Sequence, residues 1–135
     1  MNIRQKKALQ ALVELALVPS KEMRAMALAE KLGLTREAVY QLLLPMVRLG
    51  VVEAGRGRNG GYRLNRRALG VSTWAVMAPF SSDAALREQG SDVPPYVARL
   101  DGMAEEAYRR TFEEVTVEAL IRQALEANQV PSYDI

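Results

Sequence analysis

Through the first fifty positions apolar residues recur at helical intervals, and then the period changes. Ala8, Leu9, Leu12, Leu15 and Ala16 predict a helix over residues 3–17, stopped by Pro19 and Ser20. A shorter pattern through Ala25, Leu28, Ala29 and Leu32 predicts a second helix, which Gly33 ends by supplying a left-handed turn. Thr35 then stands where a third helix needs its cap, with Glu37 near the positive end. Val39, Leu42, Leu43, Met46 and Leu49 form the inner stripe of that helix, and Gly50 closes it. Pro45 removes one amide donor inside it, so a bent helix, or one shortened to end at Leu44, is expected. Two helices joined by a short turn containing glycine make a helix-turn-helix.

After Gly50 the alternation drops to every second residue. The runs "VVEAG" and "YRLNR" flank "RGRNGG", with Tyr62 and Leu64 on one side and Arg63 and Asn65 on the other. Asn59-Gly60 is a hairpin-turn signal. Gly55, Gly57 and Gly60 also spell GxGxxG, but a dinucleotide fingerprint needs a helix at the glycines and an acid about 20 positions on. Here a strand follows the glycines and "WAVMAPF" stands where the acid should be. A hairpin tipped by Arg56, Arg58, Asn59 and Gly60 behind a helix-turn-helix reads instead as a wing. Its guanidiniums suit phosphates or a narrow groove, and its glycines suit close backbone approach to a surface; charged gatekeepers on an edge strand are the plainer alternative. Ser72 caps a short helix in "STWAVMA", with Val71 and Val76 as a staple and Trp74 and Met77 as packing residues. A polar connection over 80–94 leads to a seam at Val97, Leu100, Ala104, Ala107 and Thr111, long enough to pair with another helix. Thr116 caps a last helix with Val117, Leu120, Ile121, Ala124 and Leu125 on one face.

Composition narrows the chemistry. In 135 residues there is no cysteine and no histidine, which excludes disulfides, thiolate or imidazole metal sites, and Ser-His or Cys-His catalysis. Glu105-Glu106 and Glu113-Glu114 are neighbours that diverge on a helix, not an acid/base pair, and no enzyme activity is expected. The N-terminal apolar run is interrupted by Gln10 and Glu14, so it reads as an amphipathic helix of a soluble, cytoplasmic protein and not as a leader or membrane segment. Charge divides the chain: residues 1–70 hold 13 Lys and Arg against 5 Asp and Glu, and residues 71–135 hold 5 against 11. A polyanion-binding half beside a self-associating half gives that split, as does merely uneven surface charge.

The third helix turns Arg36, Glu37, Tyr40, Gln41 and Arg48 outward. Arginine can bond two acceptors of guanine, glutamine two positions of adenine, and glutamate the cytosine amino group. Any exposed helix presents a polar face, and only the order of elements marks this one as a reader of double-stranded DNA. Lys6 and Lys7 on the first helix join the expected contact set.

The chain resembles the Rrf2 family of bacterial winged-helix transcription regulators, which includes an iron-sulfur cluster regulator, a nitrite-sensitive repressor and a cysteine-metabolism repressor. The resemblance lies in "KALQALVELAL", "LAEKLGLTREAVYQLLLPMVRLGVV", "GRGRNGGYRLNR" and "EEAYRRTFEEVTVEAL", and most specifically in Arg56, Gly60, Gly61, Tyr62 and Leu64 behind "LGVV". It implies a homodimer whose long helix, around 95–114, crosses its partner, with two heads on successive grooves of a near-palindromic operator. It also implies that Thr35, Glu37 and Gln41 approach bases and that Arg56 approaches the minor groove. Ala38 and Tyr40 depart from an aromatic and a glutamate common in the family, so no relative's operator carries over. Cluster-binding members have three cysteines in the segment that here reads "SSDAALREQGSDVPPY"; with none present, no iron-sulfur cluster or other cofactor is expected.

The expected fold is mainly α with a small β-hairpin wing: a winged helix-turn-helix over 1–79, a connection over 80–94, and dimerisation helices over 95–130. The expected function is sequence-specific DNA binding by a homodimeric transcription regulator, a repressor that works by occupancy. A winged-helix protein-interaction module that docks an acidic protein is the alternative. A pocket for an unidentified small-molecule effector is expected between the connection over 80–94 and the dimerisation helices near Trp74, Tyr96 and Tyr108.

Overall fold

Three polar side chains start helices here by the same device, and a fourth adds a reciprocal bond. In the computed structural model, which describes residues 1–18, 22–55, 60–81 and 93–128, Thr35, Ser72 and Thr116 each accept a hydrogen bond from the amide three residues on. Asn2 does so as well, while the Gln5 side chain accepts from the Asn2 amide, completing a capping box. The helices are α1 (Ile3–Ala16), α2 (Ala25–Leu32), α3 (Arg36–Leu49), α4 (Thr73–Met77), α5 (Pro95–Glu113) and α6 (Val117–Ala127), of which α2 and α5 start without a side-chain cap. A 3-10 turn, Ala78–Phe80, continues α4. Strands β1 (Val52–Ala54) and β2 (Tyr62–Leu64) form an antiparallel hairpin in which Val52 pairs with Leu64, Glu53 with Arg63 and Ala54 with Tyr62.

Gly33 and Gly50 end α2 and α3 at φ 66° and 86°, where any side chain would be strained. Helix α3 is not shortened at Leu44: it runs through Pro45 to Leu49. Its buried residues on both sides of the proline, Val39, Leu42, Leu43 and Met46, hold the helix to the core, and this tertiary packing outweighs the missing amide.

One core joins α1, α2, α3, β2, α4 and α6, centred on Leu12, Leu28, Leu43, Met46, Met77 and Ile121, each at most 1% exposed. The apolar face of α6, grouped by its sequence position with the dimerisation segment, is spent on this core, where Val117, Ile121 and Leu125 pack against α1. By contrast, none of the 19 residues of α5 is buried.

Candidate nucleic-acid interface

Because Val39, Leu42, Leu43 and Met46 turn one face of α3 inward, the opposite face is defined by the helical period. Glu37, Gln41, Leu44 and Arg48, spaced four, three and four residues apart, make one exposed stripe, with Arg36 and Tyr40 exposed beside it. Leu44 is 49% exposed at the centre of this stripe and was not among the residues that the sequence singled out. Its signal was the spacing from Gln41 and Arg48, hidden because a leucine within "QLLLP" reads as core. Thr35 is exposed, and its hydroxyl oxygen accepts from the Ala38 amide at 3.2 Å, so this side chain holds the first turn of α3. The proton of that hydroxyl remains able to donate outward.

The base of the wing lies beside α3. The rings of Tyr40 and Tyr62 stand 6.4 Å apart, and burial, followed by the neighbouring Tyr40, pushes the Tyr62 phenol above its ordinary pKa. On the outer face of the hairpin, Arg63 donates to Glu53 at 2.7 Å across the strand pair, so that guanidinium is already engaged. The Glu53 hydrogen bond raises the Arg63 pKa further.

Two of the four glycines in "GRGRNGGYRL" answer to a neighbour inside the chain. The segment Glu22-Met23 pairs with the hairpin through Met23 N–H to the Tyr62 carbonyl (2.9 Å) and Tyr62 N–H to the Met23 carbonyl (2.8 Å). A Cβ on Gly61 would lie 2.9 Å from the Met23 backbone, and one on Gly55 would lie 2.9 Å from the Glu22 carboxylate. That carboxylate also accepts from the Gly61 amide at 3.2 Å. Glu22 is thus a brace for the wing that the sequence did not reveal, since its hydrogen-bond partner Gly61 lies 39 positions away. Gly60 is partly exposed at the edge of the hairpin, whereas Arg56, Arg58 and Asn59 lie outside the described residues.

Of the two lysines on α1, Lys6 is exposed, and Lys7 donates to Gln10 at 3.4 Å and lines a groove together with Gln41. The structure therefore brings Lys7 to the flank of α3.

Along α5, Val97, Leu100, Ala104, Ala107 and Thr111 are all exposed, and Tyr96 and Met103 widen the same apolar face at 75% and 60% exposure. The helix is tied to the core at its far end, where Tyr108 meets Trp74 edge-on at 6.4 Å and Phe112 at 5.0 Å. A groove of about 580 Å³ between the start of α1 and α5 is lined by Trp74 and Tyr108 but not by Tyr96. No helix among the described residues is long and apolar enough to cross a membrane.

Solved structures of several regulators share this architecture. IscR of T. potens superposes with a TM-score of 0.74 over 98% of this chain and 93% of its own, at 18% identity. The oxidized form of CymR from Staphylococcus aureus gives 0.69 over 90% and 96% at 22% identity. CymR of B. subtilis, the global cysteine regulator, gives 0.65 over 90% and 95% at 21%. At these identities the likeness establishes the fold. A stretch of 61 residues, 45% of the chain, is 34% identical to the protein aau3 of Rhizobium meliloti (strain 1021) and spans 40% of that protein's length. The Rrf2 family, described as iron-dependent transcriptional regulators, matches residues 1–123. With a winged helix-turn-helix that family match identifies a DNA-binding regulator and not an enzyme: the chain belongs to the Rrf2 family of transcription regulators.

Proposed function

We propose that the chain is a cluster-free homodimer that recognises a near-palindromic operator and represses transcription by occupying it. The reading is carried by the stripe Glu37–Gln41–Leu44–Arg48, solvent-facing and set beside the base of a wing whose sequence continues into Arg56 and Arg58. Glutamine, glutamate and arginine supply hydrogen bonds to base edges, the N-terminus of α3 favours a phosphate, and the wing supplies charge. The bare apolar face of α5 supports pairing of two copies, which repeats the head and calls for an inverted repeat.

Iron fits this chain poorly. Clusters are held by thiolates or imidazoles, of which the sequence has none, and the described residues contain no group of three or more Asp or Glu placed to hold a metal ion.

Selection of duplexes from random DNA with the purified protein tests the proposal. An inverted repeat bound with a steep salt dependence is expected, since neutralising about six to ten phosphates costs about 10³ to 10⁵ in affinity between 50 and 200 mM salt. Recovery of no preferred duplex, or binding indifferent to salt, refutes it.

A further inference from the structure

The flank of α3 that faces away from the wing borders a second groove. Leu34, Ala38, Leu42 and Pro45 line one side of it, and Pro79 and Phe80 of the 3-10 turn line the other. The Asn2 side-chain amide, at the cap of α1, donates to the Phe80 carbonyl at 2.6 Å, which ties that wall to α1. The groove encloses about 450 Å³, a volume ordinary for a small-ligand site. Arg4 and Lys7 of α1 complete the lining with Gln41, and no carboxylate is among the lining residues. Neither cation forms an ion pair among the described residues.

We propose that this groove binds an amphipathic carboxylate: an apolar body of medium length laid against the proline, leucine and phenylalanine walls, with its carboxylate held by Arg4 and Lys7. Apolar area removed from water supplies affinity, and the two charge-assisted contacts supply orientation and discrimination against neutral analogues. Gln41 belongs both to this lining and to the reading stripe, so a bound carboxylate and a bound duplex exclude one another. That second half rests on the DNA-binding reading above; the binding site itself does not.

Octanoate is the probe, with acetate (charge without a tail) and 1-octanol (tail without charge) as comparisons, measured calorimetrically on the full chain without DNA. Octanoate is expected to bind at least tenfold more tightly than either. Ala38→Leu fills the groove while keeping a strong helix former, and is expected to weaken octanoate at least tenfold with its melting temperature retained. The double variant Arg4→Gln/Lys7→Gln is expected to weaken octanoate and leave octanol unchanged. No binding, octanol as tight as octanoate, or octanoate binding unmoved by Ala38→Leu overturns the site. With the selected duplex, octanoate at ten times its dissociation constant is expected to weaken DNA binding about elevenfold. A duplex that binds equally with and without octanoate overturns the exclusion. A protein that binds octanoate but no duplex retains the site and defeats the DNA-binding reading.

Discussion

The proposed pairing through α5 can be weighed on a single side chain. Leu100 is 67% exposed in the isolated chain, so two-thirds of it is available for a partner to cover. Leu100→Ala removes three carbon groups worth about 0.8 kcal/mol each when fully buried, roughly 2.4 kcal/mol in all. Two-thirds of that is about 1.6 kcal/mol per protomer, and a two-fold interface loses it twice, about 3 kcal/mol. At about 1.4 kcal/mol per tenfold, the dimer dissociation constant rises about 100- to 200-fold. Sedimentation equilibrium over a range of protein concentrations measures that constant directly. Leu44→Ala is the control, because Leu44 is an exposed leucine at 49% that sits on α3 instead. The reasoning is refuted if Leu100→Ala stays within threefold of the parent, or if Leu44→Ala weakens pairing equally. Core damage is not a competing explanation, since no residue of α5 is buried in the single chain.

Gln41→Ala is expected to cost about 1–3 kcal/mol at one base pair of the selected duplex and little elsewhere, read by competition with singly substituted duplexes. Leu44→Ala is expected to remove a preference of about 1 kcal/mol for thymine over uracil at one position, because an apolar side chain there can meet the thymine methyl; equal losses on both duplexes would show that Leu44 touches no methyl. Gly61→Ala forces a Cβ against the Met23 backbone and is expected to lower stability by about 1–3 kcal/mol in thermal denaturation. Gly70→Ala, with open space around the new carbon, is the comparison, and equal effects would count against the brace at the wing.

Local signals predicted the helices well where a single residue carries the reason. Gly33 and Gly50 take the positive φ that their positions at helix ends demand, and Thr35, Ser72 and Thr116 cap as their side chains allow. Long-range packing was not legible. Pro45 signalled a bend or an end at Leu44, and burial of Val39, Leu42, Leu43 and Met46 carries the helix past that end to Leu49. An apolar face like that of α6 reads the same whether it covers its own core or another copy. On α3 the exposed polar positions were visible from residue type and spacing, but Leu44 was masked by its neighbours and Glu22 by distance along the chain. The glycines of the wing suit close approach to a surface, yet two of them, Gly55 and Gly61, make room for Glu22 and Met23 of the same chain.

The far end of α5 is bolted down. Thr73 donates from its amide to the Val115 carbonyl (2.7 Å) and from its hydroxyl to the Phe112 carbonyl (2.8 Å), while the Val117 and Glu118 amides donate to the Val71 and Leu69 carbonyls at 2.9 and 3.0 Å. If two copies pair along such rods as proposed, the pair would act as a caliper with a locked jaw, unable to swivel one head around the groove to follow a displaced target. Inserting a single base pair between the two halves of an operator would therefore defeat binding as thoroughly as spoiling one half outright.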